Sequence, residues 1–179
     1  MPKIDEIQIS RFLYEGQTLL GAPSDPAAAR LSVLERIGSI LHCQWITMWE
    51  VDRNVLRACA KWTHTDLVAR QLLDDVRFNS LASGEGTATR VWRSAQPFWT
   101  HDLFRDLCFP RSLEAKSAGL TAGIWIPLKS KGTVVAVLEL LSLGLPESTY
   151  PDRSKDLERF GDVIGDLLFP SSPRLSLSS

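Results

Sequence analysis

Two consecutive apolar runs in the second half of the chain constrain the fold most strongly. Residues 120–128 (LTAGIWIPL) and 133–141 (TVVAVLELL) are apolar at odd and even positions alike, and Lys129-Ser130-Lys131-Gly132 separates them. Runs of this length around a turn predict an antiparallel hairpin. Because side chains alternate between the two faces of a strand, apolar residues at both parities indicate a sheet that is covered on both sides.

A second hairpin is predicted for residues 45–62, WITMWEVDRNVLRACAKW, with its turn at Asp52-Arg53-Asn54. In its first strand, alternate residues are expected on opposite faces. Trp45, Thr47 and Trp49 form one set, and Ile46 and Met48 form the other. This pattern again indicates a sheet with two covered faces.

Apolar residues at three- and four-residue spacing predict the helices that cover the sheet. One begins near Ser24-Asp25-Pro26, where Asp25 is an N-cap candidate and Pro26 suits a first turn. The last spans about residues 152–169, and a less regular helix is expected within residues 1–22. The expected buried stripes are Ala28, Leu31, Leu34, Ile37, Ile40 and Leu41, and then Leu157, Phe160, Val163, Ile164, Leu167 and Leu168.

The stretch 84–103, GEGTATRVWRSAQPFWTHDL, predicts a short helix at 87–93, a break at the Gln-Pro pair and a short strand at 98–100. A short amphipathic segment follows at 111–118. The order of elements predicts an α+β domain around an antiparallel sheet.

The net charge of −1 and the pI near 6.3 give no electrostatic reason to expect nucleic acid or an anionic membrane as partner. The N-terminus carries charges where a signal peptide would have its apolar run, so a cytoplasmic location is expected. The three widely spaced cysteines, Cys43, Cys59 and Cys108, favour free thiols over a disulfide framework or a zinc site.

Together, GEGTATRVWRSAQPFWTHDL and FPRSLEAKSAGLTAGIWIPLKSKGTVVAVLELLS resemble the second half of a GAF domain, over roughly residues 25–168. The similarity is greatest to GAF domains of bacterial multidomain sensor proteins. It implies about six antiparallel strands, with terminal helices packed on one face and short helices and loops over a pocket on the other. The expected domains are an N-terminal helix at 1–22, the GAF domain at 23–169 and a disordered tail at 170–179.

The resemblance brings several candidate chemistries with it. Cyclic-nucleotide GAF domains carry an Asn-Lys signature that this sequence lacks, and a bilin thioether would need Cys108, which has no histidine beside it. The cysteine positions of the family's methionine sulfoxide reductases are not matched. The chain is therefore expected not to be an enzyme and to carry no cofactor or metal, with a bilin- or haem-binding photoreceptor or redox sensor as the remote alternative.

Seven residues are expected nearest to any ligand. Glu139 stands out, because a carboxylate inside an apolar strand must be paired, protonated or facing a polar cavity. His101 is the imidazole expected at the pocket rim, and indoles suit a flat organic ligand. The predicted ligand-binding residues are Trp49, Trp62, Phe98, Trp99, His101, Trp125 and Glu139.

Two functions are compatible with these features. In the first, the domain binds a small ligand and signals through its terminal helices. In the second, it is a ligand-free dimerisation or protein-interaction module. A homodimer through the helices at 3–20 and 152–169 is expected, and a signalling protein acting in trans is a further expected partner. The first function predicts a cavity with unpaired polar groups, and the second predicts a cavity filled by side chains.

Overall fold

The computed structural model describes residues 25–64, 79–105, 109–144 and 154–170. They form an α+β fold with one six-stranded antiparallel sheet, in the order β3-β2-β1-β6-β5-β4. The predicted helix at 1–22, Cys108 and all but the first residue of the predicted tail at 170–179 lie outside these residues. The elements are α1 (Pro26–Leu41), β1 (Trp45–Asp52), β2 (Val55–Thr63), β3 (Ser80–Ala82), α2 (Gly86–Ser94), β4 (Phe98–Thr100), α3 (Ser112–Ser117), β5 (Ala122–Ser130), β6 (Thr133–Ser142) and α4 (Ser154–Leu168).

The β5–β6 hairpin confirms the covered sheet that the two apolar runs predict. Every residue from 122 to 128 is buried, and β6 is buried from 136 to 142. The predicted four-residue turn is shorter in the structure, because Lys129 and Ser130 belong to β5. Lys131 and Gly132 form the turn, both with positive φ, as a type I′ hairpin turn requires.

The β1–β2 hairpin confirms the predicted alternation. Trp45 and Trp49 lie in one core and Ile46 and Met48 in the other, on opposite faces of the sheet. We call the face that carries Ile46 and Met48 the helical face, because α1 and α4 cover it. The other face, which α2 and α3 cover, is the distal face.

On the helical face, α1 begins where the sequence predicts. The Asp25 carboxylate accepts a hydrogen bond from the backbone N–H of Ala27 at 3.0 Å. The buried stripe is rotated from the predicted one, since Ala28 is exposed and Leu31 is 48% exposed. The residues of α1 that are buried are Ala29, Val33, Leu34, Ile37, Gly38 and Leu41.

Helix α4 packs unusually close to the sheet. Gly161 and Gly165 lie against the backbone of Pro127 and Lys129, where a Cβ would overlap the carbonyl oxygens of those residues. The rest of the contact face is apolar and consists of Leu157, Phe160, Ile164 and Leu168. The two glycines therefore bring the helix main chain directly onto the main chain of β5.

On the distal face, the segment that contains GEGTATRVWRSAQPFWTHDL folds into α2 and β4. Val91 of α2 is fully buried against the second core, and Ala95 ends the helix in a left-handed conformation. Strand β3, three residues long, precedes α2 and was not predicted. None of the helices in the described ranges is both long and apolar enough to cross a bilayer.

Candidate functional site

A buried carboxylate lies at the centre of the distal face. Glu139, in the middle of β6, is 2% exposed, and in the sheet it pairs with Thr47 on one side and Trp125 on the other. One carboxylate oxygen accepts a hydrogen bond from Trp125 Nε1 at 2.9 Å. The other accepts one from the guanidinium of Arg111, with which Glu139 forms an ion pair. Of the three alternatives that the sequence leaves open for this carboxylate, which are pairing, protonation and a polar cavity, the structure shows pairing.

Three aromatic rings surround the cationic partner. The guanidinium carbon of Arg111 lies 5.5 Å from the ring centroid of Trp45, 5.4 Å from that of Trp49 and 5.8 Å from that of Phe109. Each distance is within the range in which a ring face attracts a cation. We call Trp45, Trp49 and Phe109 the aromatic cage. The side chain of Arg111 is 6% exposed, so the cage and Glu139 replace most of its hydration.

A buried ion pair of this kind adds little net stability, because desolvation of both charges offsets their attraction. Removing one partner is costly, since the other is then left as an uncompensated charge, at about 3–5 kcal/mol. The pair also joins two distant elements, because Arg111 immediately precedes α3 and Glu139 is in a central strand. It therefore fixes the position of α3 on the sheet.

The space beside the ion pair is almost filled. The cavity has a volume of about 10 Å³, which is comparable to the space that one water molecule needs. Its walls are Trp45, Phe109, Arg111, Glu114, Ala115, Leu120 and Leu141. Within the part of the chain that the structure describes, this cavity has room for about one water molecule.

The aromatic cage has one polar group without a partner. Trp49 is fully buried, and its Nε1 has no hydrogen-bond partner among the described residues. By contrast, the indole N–H of Trp45 donates to Thr47 Oγ1 at 2.8 Å. An unpaired buried N–H is costly. The site therefore contains a donor that the present arrangement does not satisfy.

The predicted ligand-binding residues do not all share one face. Trp125 and Glu139 are hydrogen-bonded, Trp49 belongs to the cage, and Phe98 lies 5.9 Å from Trp125 between ring centroids. These four residues lie on the distal face.

The other three predicted residues lie elsewhere. Trp62 and Trp99 pack against the helical-face core, because their strand partners, Ile46 and Ile124, belong to that core. His101 is exposed just after β4. The strand register therefore places Trp62 and Trp99 on the opposite face of the sheet from Glu139, because a shift of one residue along a strand changes the face.

The list of predicted ligand contacts omits Arg111 and Phe109. Glu139 pointed to a cationic partner as one of three alternatives, but the sequence does not show which of the chain's arginines supplies it. Arg111 occurs in the short segment FPRSLEAK, where it reads as an ordinary surface residue of an amphipathic turn.

The two described thiols lie away from this site. Cys43 and Cys59 belong to the helical-face core, and both are free. Burial raises the pKa of Cys43 to about 12 and that of Cys59 to about 11. Both are therefore protonated at neutral pH and are poor nucleophiles there. Across the described ranges, no three His, Cys, Asp or Glu side chains come together as metal ligands would.

Comparisons with known proteins match most of the chain to one family model and to solved structures. The family model described as "GAF domain" matches residues 27–168. The GAF domain of A. aeolicus nlh2 in an inactive state is 18% identical, with 90% of this chain and 96% of that chain covered and a TM-score of 0.72. The GAF domain of a phosphoenolpyruvate-protein phosphotransferase (ptsP) from Coxiella burnetii is 16% identical, with 90% of each chain covered and a TM-score of 0.68. No curated protein sequence matches the chain.

One comparison corrects an expectation. Free methionine-R-sulfoxide reductase from Neisseria meningitidis, in complex with its substrate, is 14% identical, with 89% of this chain and 87% of that chain covered and a TM-score of 0.66. Further structures of such reductases also match. The prediction that the chain is not an enzyme is therefore wrong, because the same fold supports catalysis in these proteins. At this identity the likeness shows the fold alone.

Proposed function

Because the chain belongs to the GAF domain family, a known type of sensory and regulatory domain, we propose that it binds a small ligand on its distal face and signals through its terminal helices. The proposal takes the GAF domain as residues 23–169. It includes a cytoplasmic location, a homodimer formed through the terminal helices and a signalling protein in trans as the receiver.

The buried Arg111–Glu139 pair is the observation that carries this proposal. Apolar side chains at these two positions would fill the distal core without desolvating charges. An ion pair can instead be exchanged, because a ligand that offers Glu139 an equivalent partner releases Arg111 without leaving a bare carboxylate. Such an exchange frees the residue that fixes α3 on the sheet, and so provides two arrangements that a ligand can select between.

Strand β6 connects this exchange to the helices. Glu139 faces the distal side, while its chain neighbours Leu138 and Leu140 belong to the core beneath α1 and α4. A shift of the β6 main chain at Glu139 therefore moves apolar side chains on the opposite face. Close-packed cores respond to such displacements by adopting a second arrangement rather than by deforming gradually.

Thermal-shift measurements with a library of amino acids, amines, nucleotides and organic acids test the ligand-binding part of the proposal. We expect at least one class to raise the melting temperature of the wild type and to lose this effect in Glu139→Gln. The matched control is Glu50→Gln, where the native side chain is 38% exposed and pairs with Arg30 at 3.3 Å. Native mass spectrometry then identifies any small molecule that co-purifies.

Hydrogen exchange tests the signalling part. We expect ligand to change protection in α1 and α4 as well as around α3, since both faces share β6. If no compound stabilises the wild type and no small molecule co-purifies, the ligand-binding proposal fails. If a ligand binds but leaves exchange in α1 and α4 unchanged, the route through the terminal helices is wrong.

A second candidate function is a ligand-free dimerisation module, which the nearly filled distal cavity favours. Leu31, 48% exposed on the outer side of α1, offers an apolar contact for a second copy. Sedimentation equilibrium of Leu31→Arg should then show a monomer. The control is Leu113→Arg in α3, where the native side chain is 76% exposed on the other side of the sheet and the change should leave the dimer intact. An unchanged mass for Leu31→Arg would exclude α1 from the interface.

A further inference from the structure

The aromatic cage already holds a cation, and that cation belongs to the protein. We propose that Arg111 is a tethered occupant of a cation-binding site, and that the ligand is a small organic cation that displaces it from Glu139. The ligand would carry a guanidinium or alkylammonium group next to a hydrogen-bond acceptor. This inference rests on the proposed function, for which it names the ligand class.

The groups around the guanidinium are those that select a cation. Three aromatic rings lie 5.4–5.8 Å from its central carbon, and the Glu139 carboxylate completes the enclosure. Ring faces and a carboxylate attract positive charge, and desolvation strengthens that attraction. The Trp125 N–H fixes one carboxylate oxygen, so the other is held in place for a donor.

Exchange of one cation for another preserves the charge balance of the site. A ligand cation on Glu139 leaves the carboxylate paired, while Arg111 can move into water with its full charge. An anionic ligand would have to share the Arg111 guanidinium with Glu139, which places two negative charges around one cation in a desolvated site. The site therefore favours a cation over an anion.

The unpaired N–H of Trp49 supplies an independent argument for a ligand. Trp49 is fully buried, forms a wall of the cage and has no acceptor for Nε1 among the described residues. Arg111 cannot satisfy this donor, because a guanidinium has donors and no acceptor. A cation that brings a hydroxyl, carbonyl or carboxylate oxygen within hydrogen-bond distance of Nε1 would satisfy it. Arg111 thus leaves one donor of the cage unsatisfied, and an occupant with an acceptor has a hydrogen bond to gain.

The Arg111→Ala variant of the full chain tests the proposal. Truncation removes the tethered cation and joins its space to the cavity of about 10 Å³. The probes are ethylguanidinium and ethanolamine, which carry the cation without and with an acceptor, and acetate as the anion, each at millimolar concentration. We expect both cations to stabilise Arg111→Ala, and ethanolamine to gain further from its hydroxyl. Their apparent affinity should be roughly tenfold higher or more for Arg111→Ala than for the wild type, in which Arg111 competes.

Two further variants define the result. Arg57→Ala is the matched control, because Arg57 forms an exposed pair with Asp52 at 2.6 Å; it should respond to the cations as the wild type does. Arg111→Ala combined with Glu139→Gln should lose the response. If Arg111→Ala is unfolded alone, we expect the cations to restore its folding and acetate and sodium to have no effect.

Several outcomes overturn the proposal. Arg111→Ala that is folded but indifferent to both cations, or unfolded with and without them, excludes a cation site. Acetate that stabilises the wild type and loses its effect in Arg111→Ala indicates an anion site instead. In either case, stabilisation of the wild type by another class of small molecule would leave the sensory function standing while rejecting the ligand class. Indifference of the wild type to every compound would reject both.

Discussion

Replacing Gly165 with alanine should destabilise the domain, although alanine is the better helix former. In a free helix the change would be favourable by about 1 kcal/mol. Here a Cβ on Gly165 would lie 2.6 Å from the carbonyl carbon of Lys129 and 2.7 Å from its nitrogen. Carbon atoms normally approach no closer than about 3.5 Å. The two main chains must therefore separate by almost 1 Å.

The cost follows from the contacts that this separation loosens. A gap of 0.5–1 Å forfeits roughly a quarter to a half of the attraction between atoms in contact. Ile164 and Leu168 flank Gly165 and are both buried against the sheet. Overpacking of this kind typically costs about 1–3 kcal/mol, and rigid main chain on both sides places this site at the upper end. Subtracting the gain in helix propensity, we expect a net loss of about 2 kcal/mol.

Urea unfolding of the wild type and Gly165→Ala, monitored by tryptophan fluorescence, measures this loss as a lower midpoint with an unchanged slope. The control is Asp162→Ala, an exposed position on the same helix, which should change stability by less than about 0.5 kcal/mol. If Gly165→Ala were as stable as the wild type or more stable, the close packing of α4 on β5 would not exist as described.

Three more changes test other parts of the fold. Asp25→Ala should lower the free energy of unfolding by about 1 kcal/mol, because the N–H of Ala27 loses its acceptor; Asp25→Asn should restore most of it in the same urea assay. Thr47→Val should cost about 1–3 kcal/mol, because the buried N–H of Trp45 is left unpaired, and an unchanged midpoint would refute that bond. Burial raises the pKa of Cys43 from 9.0 to about 12. The contribution of the protonated Cys43 thiol to stability is therefore complete below pH 9 and declines as the pH rises towards 12. By pH 10, ionisation of this thiol in the unfolded state should lower the free energy of unfolding by about 1.4 kcal/mol. The wild type should therefore lose more stability than Cys43→Ala between pH 8 and pH 10.

The elements that the sequence predicts well are those with long, regular patterns. Both strands of the β5–β6 hairpin have apolar residues at odd and at even positions, and only a sheet covered on both faces buries such a pattern. Helix α1 has an N-cap aspartate followed by proline, which fixes its start. Its buried face was less well predicted, since Leu31 is apolar but points outward, and apolar surface residues are common in folded proteins. Strand β3 has only three residues, too few to show a period.

The candidate site was only partly predictable, because it depends on pairing between distant segments. The burial of Glu139 could be inferred from its own strand. The face on which Trp62 and Trp99 lie depends on which residues they oppose in neighbouring strands, and the sequence does not contain that register. Arg111 is 28 positions from Glu139, and nothing local marks it as a buried cation. Long-range contacts therefore determine the chemistry of the site.

The short helix α3 bears on the entropy of ligand binding in the proposed exchange. With six residues, it is far below the roughly 12–15 residues at which an isolated helix becomes even marginally stable. Its order depends on tertiary anchors, of which the ion pair of Arg111 and the buried Ala115 are two. An occupant that releases Arg111 also releases backbone entropy in this segment, about 1–2 kcal/mol for each residue that becomes free. In the proposed exchange, ligand binding would then be driven partly by disorder gained in the protein, and calorimetry should show a more favourable binding entropy than a rigid pocket gives.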